Sequence, residues 1–394
     1  MADNEPLKIL APASQVPTIA RNLNRRRFLS FAAAAGGAGV LAACTPGGAS
    51  SSSAPEATGG ELEDSLSIYT WGDYDDPGVI ETFTTEFGPT ITLDSYNSNE
   101  ELVSKLIAAN GTSGYDIIVP TGPFIPQMIE NGLFTPLNLD LIPNIEHVDP
   151  EFLGLAWDPE NEYSICKAWG TTGYVYDTTV IDRELTTWAD FLDAAQNEAS
   201  GSVSMLDDPV AIAGAYLWSK GESQSTTDEA LLAETEDYMV NNIAPHISTF
   251  ESYPGGTIIP TNAAALVQTW NGDARLGILE SSTPENWKWV LPAPTTEIWM
   301  DNWAIAAGAP HPEAAHAFIN YVLTPENSLL ELDYIGYNTG GAGIEAAAEE
   351  YGVELPELIF FTSDQLATMQ ETTINEAQQT IVDIWNKTKV AAGA

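Results

Sequence analysis

The chain has 394 residues, 44% hydrophobic and 9% aromatic, and is long enough to build a full core as one two-lobed unit or two ordinary domains. Its 56 acidic residues against 13 basic ones give a formal net charge of -43 at pH 7. This excess argues against nucleic acid as a partner, because phosphate binding requires a basic face. Most carboxylates are expected at the solvated surface, and some can attract a cationic ligand over long range. Net charge alone does not separate these two roles.

Residues 24–44, NRRRFLSFAAAAGGAGVLAAC, have the three-part pattern of an export signal. The paired arginines before Phe28 resemble a twin-arginine signal, and the final Leu-Ala-Ala-Cys resembles the bacterial lipoprotein box, in which Cys44 is lipidated after cleavage. A short membrane helix or a buried core helix is the alternative. However, the apolar run of about 16 residues is shorter than the roughly 20 of a membrane span. We predict a twin-arginine-type lipoprotein signal peptide over residues 1–43.

Residues 44–60 are the predicted lipidated cysteine and flexible tether, because TPGGASSSSAPEATGG is too rich in Ser, Gly, Pro and Ala to fold. No later run approaches 18 uninterrupted apolar residues, so no further membrane span is expected. If Cys44 carries lipid, Cys166 has no disulfide partner in the chain and is expected to be a small buried apolar residue rather than a nucleophile. The predicted location is extracytoplasmic, with the lipid holding the protein at the cell membrane.

The next part of the chain alternates strands and helices. Pro77 and Gly88 bound the first helix, and Ser98 with Glu101 forms a predicted capping box for the second, which Gly111 ends. The predicted elements are, in order, strand 65–71, helix 75–88, strand 90–96, helix 98–111, strand 115–121 and helix 123–132. Near-continuous apolar strands in this alternation indicate a parallel sheet covered on both faces.

The alternation returns after Thr172, and no internal repeat or heptad run is present. The predicted elements there are strand 173–177, helix 186–195, strand 201–208, a long helical stretch through Leu231 to Asn242, strands 265–270 and 296–300, and helix 312–324. We therefore predict two α/β lobes between which the chain passes more than once. Lobe 1 is assigned residues 61–171 plus about 300–322, and lobe 2 is assigned residues 172–299 plus about 323–394.

Eight segments resemble the bacterial spermidine/putrescine-binding proteins, which are the extracytoplasmic solute receptors of ABC importers. They follow the order and approximate spacing of that family and together span about residues 66–389. The segments are IYTWGDY, NSNEELVSKL, YDIIVPT, TTWADF, MLDDP, TWNGD, WMDNWAI and YIGYNT. The resemblance implies an α/β periplasmic-binding-protein fold of the Venus-flytrap type, with the ligand cleft between two closing lobes. It also implies a polyamine ligand, an ABC permease as partner, a monomer, and neither cofactor nor metal.

The resemblance further implies a set of ligand-binding residues, each at a position that matches a family motif. Asp208 matches a carboxylate of the spermidine type, Trp270 and Asp273 match a W-x-x-D pair of the putrescine type, and Trp299 and Asp301 match the most diagnostic pair, W-x-D. The implied ligand residues are Trp71, Asp73, Tyr74, Thr121, Asp208, Trp270, Asp273, Trp299, Asp301 and Tyr337.

These residue types suit a polyamine, which is a methylene chain with two or more ammonium groups. Each buried ammonium needs an anionic acceptor, and Trp or Tyr faces both pack on methylenes and attract ammonium, at about 0.5 to 2 kcal/mol per contact. Trp71, Thr121 and Asp301 also fall at or just past predicted strand ends, where α/β sheets bind ligands. Taken singly, the tryptophans could instead be core residues and the aspartates caps or surface charges. Asp75 and Asp76 are assigned to the start of a helix, outside the site.

The sequence departs from the family pattern at several positions. Ala211 stands where members usually carry a glutamate, Gly72 where a Ser or Thr often follows the first tryptophan, and Pro123 where a polar or aromatic residue is usual, while a late glutamine position falls near Gln370 or Glu371. A receptor for another cationic or small organic solute therefore stays open. A carbohydrate-active enzyme with paired carboxylates is a weaker alternative. A metal receptor is disfavoured because no His/Cys cluster or EF-hand-like loop is present. We expect a binding protein rather than an enzyme.

Overall fold

The computed structural model describes residues 56–109 and 113–394 as a mixed α/β protein. The predicted signal peptide, Cys44, most of the tether and Gly111 lie outside the described residues. Within these ranges, every helix is too short or too polar to span a bilayer.

The elements before residue 178 begin with two strands whose observed bounds are those predicted from the sequence. In chain order they are β1 (Ser65–Trp71), α1 (Pro77–Phe87), β2 (Thr90–Tyr96), α2 (Asn99–Ala108), β3 (Ile117–Ile118), α3 (Ile125–Glu130), β4 (Phe134–Thr135) and β5 (Ser164–Asp177). Asp76 caps α1 by accepting from the Gly78 amide at 2.6 Å. The predicted capping box of α2 is only half formed: Ser98 accepts from the Glu101 amide at 3.2 Å, but the Glu101 carboxylate accepts from Asn97.

The elements after residue 178 include several helices that the sequence did not predict. In chain order they are α4 (Trp188–Gln196), β6 (Val203–Leu206), α5 (Pro209–Ser219), α6 (Glu229–Tyr238), β7 (Ile247–Glu251), α7 (Pro254–Thr257), β8 (Leu266–Trp270), α8 (Asn271–Glu280), β9 (Trp287–Val290), β10 (Thr296–Ala306), α9 (Pro312–Val322), α10 (Pro325–Ile335), α11 (Ile344–Tyr351), α12 (Ser363–Leu366), β11 (Met369–Glu371) and α13 (Gln378–Ala392). A π-helical turn at Met239–Ile243 extends α6.

The described strands form one mixed sheet, so the prediction of a parallel sheet is only partly right. Their order is β2-β1-β3-β10-β5-β8-β6-β7, with β4 and β11 also paired to β10 and β9 paired to β5. β1 is parallel to β2 and β3, whereas β10 is antiparallel to β3 and β5. Because β10 comes from far along the chain and enters between earlier strands, its direction is a tertiary feature that no local pattern contains.

Strand β5 connects the two halves of the sheet. Its first part pairs with β10, and from Thr172 onward it pairs with β8 and β9. Two large cores flank this junction. The first includes Leu66, Ile117, Ile165, Phe318 and Ile335, and the second includes Tyr174, Trp188, Met205, Trp218 and Leu266. The predicted bounds of the two lobes stay a prediction.

Candidate functional site

The candidate site lies where β5 passes from one half of the sheet to the other. Gly170 of β5 is opposite Trp299 of β10, Thr172 is opposite Trp270 at the end of β8, and Thr121 forms an isolated bridge with Asp301. Four predicted site residues from three distant parts of the chain are thus brought to one place.

Asp301 is 6% exposed and accepts a 2.7 Å hydrogen bond from the Thr121 hydroxyl. Asn99 fixes Thr121 in turn, because its side chain donates to that hydroxyl at 2.8 Å and accepts from the Thr121 amide at 3.0 Å. Burial raises the pKa of Asp301 to about 6, while the hydrogen bond from Thr121 acts in the opposite direction. Burial, followed by the nearby charge of Asp301, raises the pKa of Tyr74. The orientation of the Tyr74 hydroxyl nevertheless leaves it without a hydrogen-bond partner among the described residues.

Asp273 and Tyr337 form a second polar pair. The Tyr337 hydroxyl donates to the Asp273 carboxylate at 2.6 Å, and the Gly255 amide donates to its other oxygen at 3.1 Å. Both side chains are buried, with 6% and 5% exposure. Burial raises the pKa of Asp273 to about 6 despite these donors.

Aromatic rings pack beside these carboxylates. Trp299 packs edge-on against Tyr337 with ring centroids 4.9 Å apart, and Tyr74 lies 6.0 Å from Tyr337 on the other side. Gly170 permits this packing, because a Cβ atom there would collide with the Trp299 and Tyr337 rings. Trp71 is half-buried against Tyr96, at 4.6 Å. The indole N–H groups of Trp71 and Trp299 are buried and have no hydrogen-bond partner among the described residues.

Two predicted site residues are less enclosed. Asp208 is half-buried and caps α5 by accepting from the Ala211 amide at 2.8 Å, and burial raises its pKa to about 6. Asp73 is exposed in a left-handed backbone conformation with φ 52. Asp208 is therefore connected to the other buried carboxylates through Glu297, which is described next. Asp73 lies outside the enclosed part of the site.

Glu297 is a buried carboxylate of this region that sequence reasoning missed. Its side chain accepts from the Thr372 hydroxyl at 2.6 Å and from the Thr172 hydroxyl at 3.3 Å. Burial, followed by the charge of Asp208 and with a smaller effect of Asp301, raises its pKa to about 8. Glu297, Trp299 and Asp301 occupy alternate positions of β10, so the period of a strand places them on one face. That alternation was the available signal.

The assignment of Asp75 to a helix start is wrong. Asp76 alone caps α1, whereas the Asp75 carboxylate lies 2.8 Å from the Lys167 ammonium. Glu331 is the third member of this Lys167 cluster, 3.5 Å from the same ammonium. All three side chains are 4% exposed or less. The cluster is fixed to the loop before α1 because the Asp76 amide donates to Glu331 at 3.0 Å.

The four cleft carboxylates, Asp208, Asp273, Glu297 and Asp301, have no ion-pair partner among the described residues. Every lysine and arginine in residues 56–109 and 113–394 forms an ion pair with a carboxylate other than these four. These cations are Lys105, Lys167, Arg183, Lys220, Arg275, Lys288, Lys387 and Lys389. Unpaired buried carboxylates are costly. This arrangement can bind a cation whose ammonium groups meet the carboxylates and whose apolar part meets the rings.

Comparison with known proteins gives a family. The model of the bacterial extracellular solute-binding proteins matches residues 78–350. The chain belongs to this family. The spermidine/putrescine-binding periplasmic protein of Salmonella typhimurium is 30% identical over 70% of this chain and 77% of its own. The putrescine/agmatine-binding protein of Pseudomonas aeruginosa is 27% identical over 83% of this chain and 92% of its own.

A solved structure supports the same conclusion. The spermidine/putrescine ABC transporter substrate-binding protein of Streptococcus pneumoniae, in complex with calcium and HEPES, is 29% identical, and the match covers 84% of this chain and all of that chain with a TM-score of 0.69. The resemblance found in the sequence and the two-lobed flytrap fold are confirmed. Family membership also indicates an extracytoplasmic protein. The relatives are solute-binding proteins rather than enzymes.

Proposed function

We propose that this protein is the solute-binding receptor of an ABC importer and that it binds a polyamine, putrescine or spermidine, in the cleft. One observation carries the proposal: Asp273, Glu297 and Asp301 are buried, the first and last of them beside tyrosine rings, and every described lysine and arginine is paired elsewhere. The names of the relatives agree with this ligand class. The protein has a transport role and catalyses no reaction.

In this proposal the ligand extends between two carboxylate groups. Asp301, held by Thr121, binds one ammonium, and Asp273, held by Tyr337, binds the other. Trp299 and Trp270 contact the methylene chain, and ammonium groups near their faces gain about 0.5 to 2 kcal/mol each. The remaining proposed contacts come from Trp71, Asp73, Tyr74, Asp208 and Tyr337.

The two lobes close on the ligand and the closed monomer delivers it to the permease. The proposal takes residues 61–171 with about 300–322 as lobe 1, and residues 172–299 with about 323–394 as lobe 2. Small-angle scattering with and without spermidine measures closure: compaction is expected, and identical profiles at saturation contradict it.

A titration of the purified protein tests the ligand class. Calorimetry with putrescine, spermidine, choline, calcium and an oligosaccharide should give binding for the two polyamines. Binding of the oligosaccharide would favour a carbohydrate-active protein, and binding of calcium without the amines would favour a metal receptor. Either result, without polyamine binding, overturns the proposal.

The second candidate is a receptor for another small cation. Ala211 departs from the family pattern implied by the sequence resemblance, which has a glutamate there, and a relative named for putrescine and agmatine matches over 83% of this chain. Choline or agmatine binding with weaker polyamine binding would favour this candidate.

Membrane attachment is proposed through Cys44, on the basis of the lipoprotein box and the tether that follows it. Expression of Cys44→Ser in a bacterial host should release the protein into the soluble fraction. Unchanged membrane retention would contradict the anchor.

A further inference from the structure

Glu297 is a buried acidic residue of the candidate site that no sequence motif identified. Its side chain is 8% exposed and lies on the same face of β10 as Trp299 and Asp301. β11 pairs with β10 at this point, with Gln370 opposite Glu297. The carboxyl group is therefore enclosed between β5, β11 and the start of α5, at the edge of the proposed polyamine site.

The charged groups that face Glu297 are all acidic. Asp208 faces it from the start of α5, and Asp301 faces it from β10 itself. From β5 and from the segment after β11 it meets only the hydroxyls of Thr172 and Thr372. None of the ion pairs formed by lysines and arginines in the described ranges includes Glu297.

An unpartnered polar group near Asp301 points independently to a ligand here. The Tyr74 hydroxyl, in a side chain that is 7% exposed, has no hydrogen-bond partner among the described residues, and its oxygen can accept from an ammonium. Buried polar groups in folded proteins are nearly always paired. Tyr74 and Glu297 both have the Asp301 carboxyl as a charged neighbour, which connects them to the proposed site.

We propose that Glu297 is a ligand-contacting carboxyl group that is protonated in the empty protein and gives up its proton to solvent when a polyamine binds. The inference rests on the proposed function of the same site. The carboxylic acid O–H bond breaks, the proton passes to the buffer, and the carboxylate that remains pairs with an ammonium of the ligand. The high pKa of Glu297, about 8, agrees with a protonated empty state at neutral pH.

This assignment makes affinity depend on pH in a defined direction. Below the pKa of Glu297 the ligand must displace a proton, so the association constant should rise about fivefold from pH 7 to pH 8. Asp273 and Asp301, whose pKa values are about 6, contribute little over that interval. Putrescine keeps both charges over that interval, so the slope measured with putrescine belongs to the protein.

Calorimetry with spermidine, in phosphate and in Tris at pH 7, tests the inference on the full chain. The difference in heat between buffers gives the number of protons released, which should be close to one for the native protein. Glu297→Gln keeps the shape and both threonine contacts but has no proton to give, so it should release almost none and bind more than about tenfold more weakly at pH 8. Glu349→Gln, an exposed change on α11, is the control and should behave as the native protein.

The outcomes separate the two proposals. If spermidine binds with no proton release, and Glu297→Gln binds as tightly as the native protein at pH 8, this inference is wrong and the receptor function stands. If spermidine does not bind at all, the receptor function is wrong and the inference falls with it.

Thr372→Val provides a second test if Glu297→Gln does not fold. Loss of the Thr372 hydroxyl removes a donor that lowers the pKa of Glu297, so the rise of affinity with pH should shift to higher pH. An unchanged pH profile in a folded Thr372→Val protein would overturn the assignment.

Discussion

Two groups of buried carboxylates share Tyr74 as a neighbour, and they differ in whether the protein supplies them with a cation. In the Lys167 cluster, Asp75 and Glu331 have their own cation, and the Lys167 ammonium also lies 4.8 Å from the centre of the Tyr74 ring. The cleft carboxylates have hydroxyl and amide donors but no described cation. A carboxylate with an internal counter-charge can serve the fold, whereas one without it binds its cation from outside. The predictions below test this difference.

The largest effect on folding is expected for Lys167→Met. It leaves Asp75 and Glu331 buried without their cation, and breaking such a pair costs about 3 to 5 kcal/mol of unfolding free energy. Urea denaturation measures this loss. Lys288→Met, which breaks an exposed pair with Glu184, is the control and should cost about 1 kcal/mol or less. Equal stability of the two variants would show that the Lys167 cluster is not structural.

The largest effect on binding is expected for Asp301→Asn. If Asp301 pairs with a desolvated ammonium, affinity for spermidine should fall by about 2 to 5 kcal/mol, because the cation is left without its counter-charge. Folding should change little. Glu349→Gln alters an exposed carboxylate and should reduce affinity slightly and mainly at low salt. Equal losses in calorimetric titrations of the two variants would favour diffuse surface charge over a specific anchor.

The pH dependence of stability should differ between the empty and the bound protein. Burial raises the pKa values of Asp273 and Asp301 to about 6 and that of Glu297 to about 8, above the roughly 4 of unfolded carboxyls. At pH values between the unfolded and the folded pKa of each group, the folded protein binds more protons than the unfolded chain. The free energy of unfolding of the empty protein therefore falls with rising pH, by up to about 1.4 kcal/mol per pH unit and group.

Melting temperatures between pH 5 and pH 8 measure this slope. Saturating spermidine should reduce or reverse the fall, since the bound cation stabilises the ionised groups. A stability that rises with pH over this range in the empty protein is the contradictory result.

A smaller effect is expected for Trp299→Leu. The leucine still packs on methylenes but lacks the ring face that attracts ammonium, so affinity should fall by about 0.5 to 1 kcal/mol. Trp289→Leu, on β9 outside the cleft, is the matched control and should leave affinity unchanged. The same titrations measure both, and an equal loss in the two variants would remove Trp299 from the site.

Local sequence signals predicted the first elements well. The bounds of β1 and β2, the role of Gly88 and the position of Ser98 follow from alternation, glycine and capping rules, which act within a few residues. The bounds of α5 were not predicted, because PVAIAGAYLWS is apolar on all sides and a helix buried all round has no amphipathic stripe.

The roles of Asp75 and Glu297 were missed because they depend on tertiary contacts. Asp75 reads locally as a helix-start residue, and only the folded chain brings Lys167 and Glu331 to it, 92 and 256 positions away. Glu297 lies beside a recognised W-x-D pair, but its burial depends on β5 and on Thr372 from the C-terminal part of the chain. A residue's charge environment is set by contacts that no short window contains.

A crystal structure of the protein with spermidine tests the central claim most directly. We expect ammonium nitrogens within about 3 Å of the carboxylates of Asp301, Asp273 and Glu297. We also expect the methylene chain between Trp299 and Trp270, and an unchanged Lys167 cluster. Spermidine bound elsewhere, or cleft carboxylates that keep only their present hydroxyl and amide partners at saturating ligand, would contradict this claim.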